Sequence, residues 1–454
     1  MAHKENSRQP EKIVRLDSLK QLNLNAAGLD IGAAEIWACV PEDRDERPVR
    51  VFKTFTVDLY ALADWLQQCS IETVAMESTG VYWIPIYEIL EERGFEACLV
   101  NAQATKNVSG RKTDVLDCQW IQQLHTYGLF QASFRPPADI CTLRAYVRHR
   151  DNLLRYRAAH VQHIQKALQL MNLQLTNVIK DITGLTGMQI IRAILAGERD
   201  PVKLAQFRDA RCKSTEEEIA KALQGNYRRE HVFALKQAVE LYDFYTQQVV
   251  ACDAEIEKHY TAFEPQVDLV EQPIPPKKTR RQKNHPAFDL RTQLYQMCGV
   301  DLTSIDGIDV LLAQDIIAEI GLDMNKWKTA KQFASWLRLC PQNSISGGKL
   351  LSSQTKKTKN RANTAFRMAA QAVSRSASAL GAFYRRIRTK HGAPKAITAT
   401  AHKIARIAYF MLKNRQPYQD LGQDYYEEQY RQRAIQNLQR KARKLGLEVV
   451  PSLN

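Results

Sequence analysis

Short apolar runs that end in turn residues dominate the first part of the chain. Runs over residues 26–31, 36–40 and 49–55 predict three consecutive strands. Helical spacing then alternates with short apolar runs, which predicts helices at 59–68, 85–93 and 114–126 and strands at 73–76 and 96–100. Three strands followed by alternating helices and strands predict a mixed α/β sheet.

From residue 138 the hydrophobic pattern becomes helical. Apolar residues recur every seven positions as far as about residue 175, at Val147, Leu154, Val161, Leu168 and Leu175. The companion row contains two arginines among its members, Leu143, Arg150, Arg157, Ile164 and Met171. A second long helix is predicted from about residue 215 to 260, with residues 184–201 interrupting the two. We expect an antiparallel arm that forms a coiled coil, with plain helix packing as the alternative.

The chain has 454 residues, enough for two or three domains. The pattern divides it into six segments: a mobile arm (1–20), an α/β domain (21–135), a helical arm (136–270), a basic Pro-rich linker (271–294), a mainly α-helical domain (295–415) and a basic C-terminal helix or tail (416–454). No uncharged apolar run approaches the roughly 20 residues of a membrane span. The first twenty residues also lack the apolar block of a signal peptide, so we expect a cytoplasmic protein without a membrane partner.

The positive charge is concentrated in the second half of the chain. The formal net charge is +15, yet residues 1–270 carry a net −4 and residues 271–454 a net +19. From residue 324 to 419 there are 20 Lys and Arg and no acid at all. A solvated surface with no polyanionic partner would mix both signs, so this segment predicts contact with nucleic-acid phosphates.

Four acids form the first candidate site. Asp30 and Glu77 lie at the ends of predicted strands, and Asp114 and Asp117 share one face at the start of a predicted helix. Carboxylates gathered from separate elements repel each other, and divalent cations remove that penalty. Oxygen ligands of this kind favour Mg²⁺ or Mn²⁺, which can activate a phosphodiester for displacement.

The segment Ser344-Ile345-Ser346-Gly347-Gly348-Lys349 is the second candidate site. A serine beside two glycines lies on backbone that can approach a phosphate closely. Basic residues follow at Lys356, Lys357, Lys359 and Arg361. The alternative is a flexible Ser/Gly loop without a catalytic role.

Two further segments predict phosphate contacts. Residues 302–309 are similar to a helix-hairpin-helix turn, although Asp309 replaces the usual second glycine, so a packing role is equally expected. The predicted helical arm carries a cluster of arginines, a residue type that grips phosphates with a fork of donors, at Arg144, Arg148, Arg150, Arg155 and Arg157. The alternative for this cluster is a solvated helix face.

These features together resemble the DEDD transposases of bacterial insertion sequences, in the family called one-ten (IS110) and including its eleven-eleven branch. The resemblance extends over most of the chain, from about residue 27 to 413. The resemblance rests on the segments GLDIG (28–32), MESTG (76–80), KTDVLD (112–117) and ISGGK (345–349), together with residues 184–201. It implies an RNase H-like (RuvC-like) N-terminal domain and a serine-bearing C-terminal transposase domain.

The resemblance also implies roles for individual residues. Asp30, Glu77, Asp114 and Asp117 would be the metal-binding and catalytic tetrad, and Ser346 the nucleophile, with Ser344 as the less favoured candidate. The serine would attack a DNA phosphate and form a covalent phosphoserine. The nucleic-acid contacts would then come from Lys349, Lys356, Lys357, Lys359 and Arg361 and from the arginines of the helical arm.

The implied partners are double-stranded donor and target DNA, a non-coding guide (bridge) RNA, and further copies of the chain, as a dimer to tetramer whose subunits share a composite site. Three alternatives remain open from the residues alone. They are a Holliday-junction-type metal nuclease with water as the nucleophile, a relative of the sugar or acetate kinases that uses Asp30-Ile31-Gly32 for a nucleotide phosphate, and a non-catalytic nucleic-acid-binding protein.

Overall fold

The computed structural model describes residues 20–78, 80–100, 114–130, 132–277 and 282–450, apart from the side chains of residues 114 and 115. The chain divides into two compact units, residues 1–135 and 136–454. The mobile arm predicted for residues 1–20 lies outside the described residues, except for Lys20. No helix in the described ranges is both long and apolar enough to cross a bilayer.

The first unit is built on a five-stranded mixed sheet. Its strands are β1 (Ala26–Ile31), β2 (Glu35–Cys39), β3 (Val49–Lys53), β4 (Thr73–Glu77) and β5 (Glu96–Val100). Their order across the sheet is β3-β2-β1-β4-β5. The pairs β1/β2 and β2/β3 are antiparallel, and β1/β4 and β4/β5 are parallel. The predicted mixed α/β sheet is therefore confirmed, and it is consistent with an RNase H-like domain.

Helices cover both faces of this sheet. Helices α1 (Thr56–Gln68) and α2 (Trp83–Glu92) pack on the face that carries Leu29 and Met76, and together they bury the main core of the unit. The opposite face carries the small residues Ala26, Gly28 and Ala75, and α3 (Asp114–Thr126) packs there. Because side chains alternate along a strand, one face is bulky and apolar while the other lets a helix backbone come close.

Two antiparallel helices of 33 residues form the arm of the second unit, α4 (Ala138–Leu170) and, further along the chain, α9 (Arg229–Thr261). His259 contacts the carbonyl of Asp139 near one end, and His160 stacks on Tyr245 further along. The helices therefore pack side by side over much of their length. The coiled-coil geometry stays a prediction.

Four short helices connect α4 to α9: α5 (Leu175–Val178), α6 (Leu185–Leu195), α7 (Pro201–Ala205) and α8 (Glu216–Ala222). They correct two predictions. The helix predicted from about 215 to 260 is interrupted between α8 and α9, where a Cβ on Gly225 would lie 2.3 Å from the carbonyl oxygen of Met171. The interruption predicted at 184–201 contains α6, whose buried isoleucines join the apolar cluster at this end of the arm.

The remainder of the second unit is mainly helical, which confirms the predicted helical C-terminal region. Its elements are α10 (Leu290–Cys298), α11 (Val310–Ile320), α12 (Ala330–Trp336), β6 (Ser344–Ser346), β7 (Lys349–Ser352), α13 (Arg361–Ala372), α14 (Ala379–His391), α15 (Ala393–Asn414) and α16 (Gly422–Lys444). Phe333, Phe366 and Tyr409 pack at its centre, and the Tyr409 hydroxyl donates to the carbonyl oxygen of Trp327 at 2.8 Å.

The turn that is similar to a helix-hairpin-helix has a packing role here. A Cβ on Gly307 would lie 2.4 Å from the carbonyl oxygen of Ala369, so this turn sits directly against the backbone of α13. Asp309 caps α11, because its side chain accepts a hydrogen bond from the backbone N–H of Leu312 at 2.9 Å. The carboxylate at the position of the missing glycine therefore satisfies the helix terminus.

Candidate active site and nucleic-acid interface

Asp30 and Glu77 lie next to each other at the carboxyl ends of two parallel strands. The register pairs Leu29 with Met76, so the next residues, Asp30 and Glu77, occupy adjacent positions on β1 and β4. Leu29 and Met76 point into the core beneath α1 and α2, so side-chain alternation directs both carboxylates to the α3 face. Both acids are half-buried.

Helix α3 packs against β1 with its N-terminal end toward these acids. A Cβ on Gly28 would lie 2.5 Å from the carbonyl oxygen of Cys118 and 2.3 Å from the backbone nitrogen of Gln122. The Gln122 side chain reaches the carbonyl oxygen of Ala26 at 3.4 Å. Moving along α3 toward its first turn therefore moves along β1 toward Asp30, and Asp117 lies in this part of the helix.

The carboxylate of Asp30 lies close enough to α3 to affect the Cys118 thiol on that helix. The pKa of the Cys118 thiol is raised because the thiol is hydrogen-bonded to Cys39, is buried, and lies near the carboxylate of Asp30. Cys39 is paired with Gly28 across β1 and β2, so both thiols lie on the same face of the sheet as Asp30. The raised pKa favours the protonated form of the Cys118 thiol.

Asp30, Glu77 and Asp117 thus belong to one face of the first unit, while the side chain of Asp114 lies outside the described residues. Within those residues no three His, Cys, Asp or Glu side chains are grouped closely enough to hold a metal ion. Asp30, Glu77 and Asp117 would offer carboxylate oxygens, the ligands that Mg²⁺ and Mn²⁺ favour. The donor chemistry therefore fits a hard divalent cation.

The serine segment forms an exposed β-hairpin in the second unit. Strands β6 and β7 pair through a two-residue turn, Gly347-Gly348, in which both residues have positive φ, 54° and 76°. Such a turn suits glycine and matches the twist of a hairpin. Ser346 is paired with Lys349 beside the turn, Ser344 is paired with Ser352 at a bulge, and the side chains of residues 341–351 are all exposed.

Lysines continue from this hairpin to α13. Lys356, Lys357 and Lys359 are exposed on the segment between β7 and α13, and Arg361 begins α13. Arg361 contacts Asp151 on α4 at 3.0 Å. An open cavity of about 510 Å³ lies between these helices, lined by Asp151, Leu154, Arg155, Ala158 and Arg361. The structure therefore brings Arg155 and Arg361 together from two separately predicted groups.

Three of the five predicted phosphate-binding arginines contact groups of the protein. Arg148 donates two hydrogen bonds to the carboxylate of Glu319, both at 2.8 Å, and Arg144 donates to the carbonyl oxygens of Ala318 and Glu319. Arg150 is only 3% exposed and pairs with Asp253 on α9. These contacts join α4 to α11 and to α9. The burial of Arg150 corrects the prediction that all five side chains face nucleic acid, whereas the Arg148 side chain remains 44% exposed.

Arg155 and Arg157, the other two arginines of the cluster, are also accessible. Arg155 is exposed and contacts Asn152 one turn earlier on the same helix. Arg157 is half-buried, donates to the side-chain oxygen of Asn284 at 2.8 Å and lies over the ring of Tyr242. Arg155 also lines the cavity, whereas Arg157 lies against α9.

Sequence reasoning missed two acids on α11. Glu319 neutralises Arg148, and burial raises the pKa of Asp315 to about 7, with the negative charge of Asp151 as the next largest cause. Both acids lie four residues apart in the segment VLLAQDIIAEI, in which Gln314 is the other polar residue. Two acids on one face of an apolar helix are the signal that could have indicated buried ionic contacts.

Comparison with known protein families gives two matches. The family model DEDD_Tnp_IS110, described as a transposase, matches residues 27–173, and a model described as transposase IS116/IS110/IS902 family matches residues 300–385. The first match includes Asp30, Glu77, Asp114 and Asp117, and the second includes Ser346. No curated protein matches the chain.

Proposed function

Because the chain belongs to the IS110 family of DEDD transposases, which act on DNA, we propose that it cuts and rejoins DNA through a covalent phosphoserine at Ser346. The observation that carries this proposal is the exposed hairpin. It presents a hydroxyl beside two glycines and a lysine, within 96 residues that contain no acid.

The four acids have a complementary role in this proposal. Asp30, Glu77, Asp114 and Asp117 would hold Mg²⁺ or Mn²⁺, which supplies a Lewis acid for the phosphate oxygens when bound. The adjacent ends of β1 and β4 and the N-terminal part of α3 support this assignment. The resemblance places the acids of one subunit beside the serine of another, so the proposed enzyme is a homo-oligomer, a dimer to tetramer.

The proposed reaction exchanges one phosphate ester for another. The Ser346 oxygen attacks phosphorus in line and forms a bond to it, while the bond to one DNA oxygen breaks. The serine proton is lost and the departing oxygen gains one. A hydroxyl of the second strand then attacks the phosphoserine, which restores Ser346 and rejoins the DNA. Lys349, opposite Ser346, would offset charge on the phosphate during both steps.

Donor and target duplexes would lie along the lysines that follow the hairpin and over the cavity bordered by Arg155 and Arg361. Arg157 extends this basic surface along the arm. The resemblance to the eleven-eleven branch adds a guide RNA that pairs with both DNAs. A discrete RNA that co-purifies with the protein and matches non-coding DNA flanking its gene would support this part of the proposal, and protein that is free of RNA but fully active would contradict it.

The test of the nucleophile compares two serines of one strand. Full-length protein is incubated with Mg²⁺ and a plasmid that carries its own gene with the flanking DNA, and protein-linked DNA is resolved on a denaturing gel. We expect the adduct with the wild type and with Ser344→Ala, and its loss with Ser346→Ala at unchanged DNA affinity.

An adduct with Ser346→Ala would overturn the nucleophile assignment. Strand cleavage without any adduct, retained in Ser346→Ala and lost in Asp30→Ala, would identify a metal nuclease that uses water.

A further inference from the structure

The serine hairpin exposes an apolar surface beside its polar one. Ile345 and Leu350 are paired across β6 and β7 and are 63% and 58% exposed. Leu351, at the bulge, is 67% exposed. Because side chains alternate along a strand, the Ile345–Leu350 pair lies on the face opposite to Ser346 and Lys349. The hairpin therefore carries hydroxyl and amine groups on one side and branched apolar side chains on the other.

The surroundings of this pair favour a polyanion as its occupant. No acid occurs between residues 324 and 419, whereas Lys349, Lys356, Lys357 and Lys359 are exposed close to the pair in the chain. A basic rim around a small apolar tip is the combination that proteins use when they insert Leu or Ile between stacked bases.

We propose that Ile345 and Leu350 form an apolar wedge that enters duplex DNA at the base step beside the phosphate attacked by Ser346. This inference rests on the proposed function, because it takes Ser346 as the nucleophile. Ile345 directly precedes Ser346, so a side chain lodged in a base step would hold the Ser346 hydroxyl one residue further along the strand, on the opposite face of the hairpin. Unstacking that step would also loosen the strand end that must leave.

Two features of the hairpin, its narrow tip and the pairing at its base, suit it to insertion into a groove. The two-glycine turn makes a narrow tip, and a Cβ on either glycine would meet no heavy atom within 4 Å. At its base, the backbone N–H of Gln342 donates to the carbonyl oxygen of Gln354 at 3.0 Å. The tip is thus slim enough to enter a groove, while this hydrogen bond continues the pairing of the two segments at the base of the hairpin.

The experiment measures base unstacking by permanganate oxidation of thymine. The probe is a duplex of repeated adenine–thymine steps, bound by full-length protein without divalent metal so that no strand is cut. We compare the wild type, the double variant Ile345→Ser/Leu350→Ser, and a matched control, Val250→Ser/Val270→Ser. The control changes two apolar side chains outside the hairpin that are 61% and 90% exposed.

We expect thymine reactivity above that of free DNA with the wild type and with the control, and reactivity close to that of free DNA with the hairpin variant. DNA affinity should change by less than about threefold in all variants, because phosphate contacts dominate it. Reactivity that is unaffected by the hairpin variant, or DNA bound by the wild type without reactive thymines, overturns the wedge. A lower oligomeric state of the hairpin variant without DNA, with unchanged reactivity, would assign the surface to contacts between copies.

Ser346→Ala separates the two proposals. It should lose the covalent adduct of the cleavage assay and keep the thymine reactivity. If Ser346→Ala keeps the adduct, the nucleophile assignment fails, and the wedge loses its stated position beside the attacked phosphate. If the wild type does not bind DNA at all, both proposals fail.

Discussion

At the scale of single residues, the difference in burial between two arginines of α4 depends on groups that are distant in the sequence. Arg150 and Arg155 are five residues apart on one helix and look equivalent in the sequence. Arg150 is buried because Asp253, 103 residues later, faces it from α9, whereas Arg155 lies at the open cavity. The sequence indicated a basic helix, but only tertiary contacts separate its structural arginines from its accessible ones.

Replacing these two arginines should have opposite consequences. Arg150→Met leaves the Asp253 carboxylate buried without its partner, so we expect a loss of about 3–5 kcal/mol in the free energy of unfolding. Arg155→Met should leave stability within about 0.5 kcal/mol of the wild type and weaken DNA binding. Urea unfolding checks the first effect, and a DNA titration checks the second.

A double variant controls for lost packing. Arg150→Met combined with Asp253→Leu should recover much of the stability, because an apolar pair can replace a buried ion pair at little cost. A single Arg150→Met variant as stable as the wild type would contradict the structural role of this pair.

The raised pKa of Asp315 predicts that the free energy of unfolding depends on pH. Its pKa is raised from 3.8 to about 7 in the folded chain, mainly by burial. Between these pH values the folded state holds a proton that the unfolded state has lost, so this contribution to stability is full in acid and is lost as pH rises toward 7. Asp315→Asn should therefore raise the unfolding midpoint at pH 8 and have little effect at pH 4. A thermal melt of both proteins at the two pH values checks this, and an equal shift at both would contradict it.

At the scale of elements, the hydrophobic pattern was most informative about the first unit. The predicted elements at 26–31, 96–100 and 114–126 coincide with β1, β5 and α3. Alternation and helical periodicity are local properties, so the sequence carries them directly. The break between α8 and α9 was missed because it depends on a close backbone approach between Gly225 and Met171, residues 54 positions apart.

Gly28 should control the placement of α3. A Cβ there would lie 2.3 Å from the backbone nitrogen of Gln122, so Gly28→Ala must push the helix away from β1 and displace Asp117. We expect a destabilisation of about 1–3 kcal/mol and at least about a tenfold loss of adduct formation, because a small misplacement of catalytic groups is costly.

Gly94→Ala is the matched control. Gly94 has φ +84° but nothing within 4 Å of its Cβ position, so the substitution should cost about 1 kcal/mol of backbone strain without an effect on the adduct. Equal activity of both variants would contradict the role of the close contact between β1 and α3.

At the scale of the whole molecule, the sequence shows that positive charge is concentrated in the second half of the chain. It does not show which of these basic side chains form a common surface. The count of acids places the positive charge in the second half of the chain. That count cannot reveal that Arg144, Arg148 and Arg150 contact other groups of the protein, or that the serine segment folds as a hairpin with an apolar side.

The salt dependence of DNA affinity tests the proposed phosphate contacts of this surface. With roughly 6–10 contacts, DNA affinity falls by about 10³–10⁵ between 50 and 200 mM salt. Changing Lys356, Lys357 and Lys359 to Ala should reduce the slope of log affinity against log salt by roughly three. The control variant, with Lys203, Lys213 and Lys221 changed to Ala, should keep the slope. Equal slopes in the two variants would contradict a phosphate-binding role for the lysines after the hairpin.

The central claim is that a hydroxyl in the second unit and carboxylates in the first act on one DNA phosphate. Mass spectrometry of nuclease-trimmed, DNA-linked peptides tests it most directly, in the wild type and in Asp30→Asn. We predict a nucleotide on Ser346 in the wild type with Mg²⁺, and none in Asp30→Asn although it binds DNA equally well. A nucleotide on another residue, or one on Ser346 that forms equally without Asp30, would contradict the claim.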